Sequence, residues 1–150
     1  GLLHDIGKVY IPNDILLKPT KLTKIEMELV KAHPKNGYEL LKKYDFNNFI
    51  LDYVLQHHER LDGSGYPLGL DNETIKPGSK IIAVADVISA MISDRPYRAG
   101  LPFSEVKNVL ISQSDCFETE ILEVALDLFK TNFITKKLKN IDSHKDLLAV

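Results

Sequence analysis

The chain has 150 residues, 44% of them hydrophobic and 27% charged, with a formal net charge of -2. These values exclude disorder, a fibrous repeat and a broad electrostatic grip on nucleic-acid polymers or anionic membranes. A chain of this length buries roughly 70% of its unfolded surface, enough for one core and hardly for two, so a single domain is expected.

Cys116 is the only cysteine, which rules out an intrachain disulfide and accords with a reducing, cytoplasmic setting. The longest apolar stretch, Ile81 to Ile92, is broken by Asp86 and Ser89 and is too short to span a bilayer, so no membrane segment is expected. The opening residues Gly1, Leu2, Leu3, His4 and Asp5 carry no cap signal and have the pattern of a longer helix cut part-way.

Pro12 and Pro19 punctuate the segment after Lys8. Thr23 followed by Glu26 spells a capping box, opening a helix with Ile25, Leu29 and Val30 inward. Pro34 stops that helix near His33 and opens the next, in which Leu40, Leu41 and Tyr44 are the apolar positions. A third helix begins near Asn47, with Ile50, Val54, His57 and His58 on one face, so that both histidines point at the core.

From Leu61 to Gly78 the run of Gly63, Gly65, Pro67, Gly69, Pro77 and Gly78 predicts a long loop, and long loops inside compact domains are often functional. Ser79 then caps a strongly apolar helix reaching about Ser93, ended by Arg95 and Pro96. Ser104 with Glu105 starts another, and a last one covers Thr119 to about Lys130. Strict alternation is nowhere sustained, so the expected class is all-α, without internal repeats. Residues 1–130 form the expected core and 131–150 a C-terminal tail or helix of the same domain, with Lys136, Lys137 and Lys139 on a solvated face.

His4 beside Asp5, His33 before a proline, and the consecutive His57 and His58 suggest metal chemistry. Imidazoles combined with carboxylates suit Fe, Mn, Zn or Ni, and a carboxylate such as Asp5 can bridge two ions. A single histidine is more often a satisfied core or surface residue, but two adjoining on an apolar face are costly to bury without a strong partner. Asp86, among Ile81, Ile82, Val84, Val87 and Ile88, poses the same problem. Either an ion compensates it, or Ser79, Asp86, Ser89 and Ser93 form a stripe facing water. With the histidines in view, a polar stripe lining a wet metal cleft is the better account. Lys8, Arg60, Arg95 and Arg98 are candidates for phosphate or guanine recognition, although each taken singly is more often a solvated charge.

Together the motifs resemble the HD-GYP family: His4-Asp5-Ile6-Gly7-Lys8, Ile11-Pro12, Leu22-Thr23 with Glu26, His33, His57-His58-Glu59, Asp62-Gly63-Ser64-Gly65-Tyr66-Pro67, Gly69-Leu70, Ala85-Asp86-Val87 and Ser93-Asp94-Arg95-Pro96-Tyr97-Arg98. The likeness runs from about Leu2 to Phe129. It implies an all-α HD-domain helical bundle with a long Gly-Tyr-Pro loop, lacking its N-terminal helix or helices here. It implies two or three divalent ions, Fe or Mn first and Zn, Ni or Mg as alternatives, held by His4, Asp5, His33, His57, His58 and Asp86, with Asp5 as the bridge.

By the same resemblance Lys8 stabilises the scissile phosphate, Gly65, Tyr66 and Pro67 shape the substrate wall, and Arg95, Tyr97 and Arg98 contact the dinucleotide. The implied activity is bacterial second-messenger signalling by hydrolysis of cyclic di-GMP to pGpG and on to GMP. The implied partners are a sensory or receiver domain of the parent protein, which could be membrane-anchored, and a second copy in a homodimer. Glycine-rich phosphate loops, nucleophile elbows and structural zinc cysteines are absent from the sequence. Two departures, the lack of the family's upstream histidine and Ser89 in place of a frequent second aspartate, leave a rival reading open: a catalytically impaired module that binds the nucleotide or a protein.

Overall fold

Thr23 and Glu26 close the predicted capping box: the Thr23 side chain accepts from the Glu26 amide, and the Glu26 carboxylate accepts from the Thr23 amide at 2.7 Å. In the computed structural model, which describes residues 1–94 and 99–130, this box starts α2 (Lys24–Lys31), after the short α1 (Asn13–Leu16) that follows Pro12. The chain turns at Ala32 directly into α3 (His33–Lys42), whose first turn contains Pro34, where a missing amide hydrogen costs no helical bond. Asn47 caps α4 (Asn48–Gln56) by accepting from the Phe49 amide. Next come α5 (Pro77–Ile92), α6 (Phe103–Ser112) and α7 (Thr119–Lys130). Among the described residues no strand occurs, only an isolated bridge between Asp62 and Asp71, so the all-α expectation is borne out.

The interior is built from two apolar clusters. Leu41, Leu51 and Val54 form one, with Leu3, Ile6, Tyr38 and Phe46 packed around it. The second joins Val84, Ile88 and Met91 of α5 to Val106 and Leu110 of α6, then to Phe117 and Leu122. α5 touches α4, α6 and α7 and so bridges the clusters. Close backbone approach locks the N-terminal part: a β-carbon on Gly7 would run into the His33 carbonyl and lie 2.5 Å from the Gly37 nitrogen. Glycine is required at this crossing because the backbones leave no room for a side chain.

Several expectations are corrected. Residues Leu2 to Asp5 form turns and Ile6–Tyr10 a 3-10 helix, in place of an α-helix through His4 and Asp5. Ile25 and Leu29 are exposed, at 78% and 48%, because α2 packs chiefly against α3 and has no fully buried residue. Tyr44 falls beyond the end of α3 and is exposed. On α4 the buried stripe is Leu51 and Val54, with Ile50 at its edge.

Pro77 and Gly78 belong to α5 instead of the loop, since proline is well suited to a first helical turn. Ser79 is no cap. It is fully buried, and its hydroxyl donates to Gln56 Oε1 at 3.2 Å, so it shares no wet stripe with Asp86. Lys136, Lys137 and Lys139 lie outside the described residues. Among the described residues no helix is long and apolar enough to cross a membrane.

Candidate metal centre

Four segments deliver the candidate ligands to one place. His4 and Asp5 precede the 3-10 helix, His33 opens α3, His57 and His58 follow the last turn of α4, and Asp86 sits midway along α5. Ligand atoms of Asp5, His33, His57 and His58 all lie within 4.8 Å of one another. His4 Nε2 is 3.5 Å from both Asp5 Oδ2 and Asp86 Oδ1, and His58 Nδ1 is 3.8 Å from Asp86 Oδ2. All six residues expected as ligands are thus brought together.

Hydrogen bonding fixes how two of the rings present themselves. His33 Nδ1 donates to the Val30 carbonyl and His57 Nδ1 to the Val54 carbonyl, each at 2.7 Å. A carbonyl can only accept, so in the neutral rings the proton sits on Nδ1 and Nε2 is a bare lone pair. Those two Nε2 atoms face each other at 3.1 Å. Asp5 Oδ1 lies 3.2 Å from one and 3.9 Å from the other, is buried, and has no hydrogen-bond partner. Three proton-free donors converging in a buried spot repel one another unless a cation sits among them. The donor set therefore fits a divalent ion, and its mixture of imidazole and carboxylate suits a transition metal.

The charge pattern agrees. Burial pushes the His57 imidazole down to about 4 and, with the neighbouring His57 and His33 rings adding to it, His58 down to about 3, so both stay neutral and ligand-competent. Burial would raise Asp5, but the Lys8 ammonium, 2.5 Å from Oδ2, works against it, and the carboxyl is held well below the usual range. Asp86 is likewise lowered despite burial, through His4 and His58, while its contact with His4 raises that imidazole.

The Gly-Tyr-Pro loop closes one side. The Tyr66 ring stacks on His58 with centroids 4.7 Å apart, and the Tyr66 amide donates to the His58 carbonyl at 3.2 Å. A side chain on Gly65 would collide with the backbone of Glu59 and Arg60, so this glycine brings the loop against the end of α4. Glu59, only 2% exposed, accepts from the Leu68 amide at 2.7 Å and the Leu70 amide at 2.9 Å, fixing the loop on both sides of Gly69. Gln56 Oε1 takes the Lys76 amide at 2.9 Å and so anchors the start of α5.

Glu59 and Gln56 sit beside the histidines in sequence, yet no residue pattern announces their part, because their partners are distant backbone amides. Arg60 donates to the Glu59 carbonyl at 2.8 Å and lies 4.9 Å from the Phe117 ring centroid, so its guanidinium is engaged within the fold. Arg95, Tyr97 and Arg98 lie outside the described residues.

The HD domain family model matches residues 1–120. The chain belongs to the HD domain family. Among curated relatives, it is 54% identical over 99 residues to the cyclic di-GMP phosphodiesterase response regulator RpfG of Xanthomonas campestris, covering 64% of this chain and 26% of that protein. It is 44% identical over 133 residues to a cyclic di-GMP phosphodiesterase of Thermotoga maritima, covering 85% of this chain and 36% of the relative. A 3′3′-cGAMP-specific phosphodiesterase of Vibrio cholerae is 38% identical over 83% of this chain and 29% of its own length. This HD domain chain therefore spans about a quarter to a third of the relatives it matches. A solved HDG"Y"P protein from Bdellovibrio bacteriovorus shares the fold, with a TM-score of 0.70 and 22% identity over 86% of this chain and 41% of the other.

Proposed function

We propose that this chain is the catalytic core of a metal-dependent phosphodiesterase that hydrolyses cyclic di-GMP to pGpG and on to GMP. The observation carrying the reading is the convergence of bare His33 Nε2, bare His57 Nε2 and the unpartnered Asp5 Oδ1 beside His4, His58 and Asp86. Relatives named as cyclic di-GMP phosphodiesterases support the substrate class. Two or three ions, Fe or Mn in preference to Zn, Ni or Mg, fit this reading, with Asp5 offering one oxygen towards His33 and His57 and the other towards His4.

When bound, such ions supply an activated water and neutralise charge building on the phosphoryl oxygens. The chain's own residues do the rest. The Nδ1 hydrogen bonds of His33 and His57 hold their rings in the ligating tautomer. Lys8, partly exposed next to Asp5, presents an ammonium to the scissile phosphate. Tyr66 keeps water from one face of His58 and, with Gly65 and Pro67, forms a wall for the nucleotide. Arg95, Tyr97 and Arg98 complete the substrate contacts in this reading. The setting is cytoplasmic, with a sensory or receiver domain elsewhere in the parent protein and room for a homodimer.

The test is to load the protein with Mn or Fe, incubate it with cyclic di-GMP and with 3′3′-cGAMP, and follow the linear dinucleotide and mononucleotide beside an Asp5→Ala variant. Turnover in the wild type that disappears in the variant is expected. Tight nucleotide binding without turnover in either protein would mark a binding module instead. Fewer than two ions at the cluster by anomalous scattering would count against the mechanism.

A further inference from the structure

Beside the metal centre, between the segment around α1 and the inner side of α2, lies a cavity of about 520 Å³. Two of its lining residues also belong to the centre. Lys8 donates to Asp5 Oδ2, and the Val30 carbonyl holds His33 Nδ1. The cavity is therefore next to the ligands, sharing a wall with them. Its other cations are Lys18 and Lys21, and its apolar surface comes from Leu16, Leu22 and Met27. Lys18 is paired with Glu26, whereas Lys21 has no ion-pair partner among the described residues. The carboxylates nearest this space, Asp5 and Glu26, are each engaged by one of its lysines, Lys8 and Lys18.

A rim on which Lys8 and Lys18 are matched by Asp5 and Glu26 while Lys21 is left as the unmatched cation, over an apolar floor, is chemically specific. It suits a ligand that combines a phosphate with a flat, apolar-faced ring, as a purine nucleotide does. Met27 is well suited to the ring, because a thioether packs favourably against aromatic systems. A cyclic dinucleotide whose scissile phosphate is beside Lys8 has a second nucleotide unit to accommodate on one side or the other. We infer that the α1–α2 cavity takes this second, non-reacting nucleotide unit, with Lys21 meeting its phosphate and Leu22 and Met27 its base. This rests on the phosphodiesterase reading above and adds a subsite to it.

The experiment compares two substrates and two variants on metal-loaded full chain. Met27→Trp fills the cavity and Lys21→Glu reverses its charge, and both positions are partly or fully exposed, so neither change threatens the core. The substrates are cyclic di-GMP and bis(p-nitrophenyl) phosphate, a phosphodiester with no second nucleotide. The KM for cyclic di-GMP is expected to rise about tenfold or more in each variant, while hydrolysis of the small diester stays within about twofold of wild type.

Unchanged KM for cyclic di-GMP in both variants overturns the subsite and leaves the phosphodiesterase intact. Equal losses on both substrates also overturn it, since the substitutions would then act through the centre. Wild-type protein active on the small diester alone overturns both the proposed substrate and the subsite. Should the wild type hydrolyse neither, equilibrium binding of cyclic di-GMP decides: unaltered affinity in Met27→Trp overturns the cavity, and a tenfold weakening upholds it.

Discussion

A histidine next to an aspartate says little by itself, and what turns His33 and His57 into donors is a backbone carbonyl three residues earlier. The residue types were readable in the sequence. The tautomers were not, since they depend on the turn each ring folds back over. Asp86 shows the same limit: its apolar neighbours raised a choice between an ion and open water, the histidines of the sequence favoured the ion, and the fold puts Asp86 3.5 Å from His4 and 3.8 Å from His58. Glu26 offers a test on a single group. Its carboxyl is drawn down to about 2, first by hydrogen bonding to Lys18 and then by the Thr23 amide and hydroxyl. A folded-state value below the ordinary 4.5 means that the stabilisation is present above that pH and fades as pH falls towards 2. Urea unfolding of wild type and Glu26→Gln across that range should show their difference shrinking with acidification; a constant difference would refute the assignment.

Helix starts with a chemical signature were legible because each deals with the free amides of a first turn locally: Thr23 and Asn47 accept from them, and Pro34 removes one. Inward faces were less so. Ile25 and Leu29 follow the helical period and still face outward, because α2 packs chiefly against α3 and buries none of its residues fully. The Gly-Tyr-Pro loop was recognised as a loop, but its shape depends on one buried carboxylate. Replacing Glu59 with Gln puts an NH2 against one of two amide donors and should cost about 1–3 kcal/mol of stability. Because Tyr66 is stacked on His58 within this loop, metal affinity should drop as well, measurable by competition with a chelator. Loss of stability with unchanged metal affinity would separate the loop from the centre. At the crossing of the 3-10 helix with α3, Gly7→Ala should destabilise by about 3 kcal/mol or more through forced separation of the backbones, read by denaturant unfolding.

For the whole molecule, the candidate ligands come from segments flanking the first apolar cluster and from α5, which belongs to the second. An ion held among them would tie the two clusters together across the helix they share. Metal at a hundred times its dissociation constant should add about 2.7 kcal/mol and raise Tm by roughly 5–10 °C, with the gain reversed by a chelator. A Tm indifferent to metal would mean that the cluster holds none. The all-α class and the ordered set of candidate ligands were legible because both rest on local pattern. The two-cluster core was not, since it depends on which helices meet. The contact between Gly7 and Gly37 carries this to mutational tolerance. A saturation scan scored by turnover and one scored by abundance should both reject every substitution at Gly7, yet they should part at His57, where foldable replacements exist and working ones do not. In such a map, the boundary between architecture and chemistry would run through His33, whose carbonyl abuts Gly7 and whose ring faces His57.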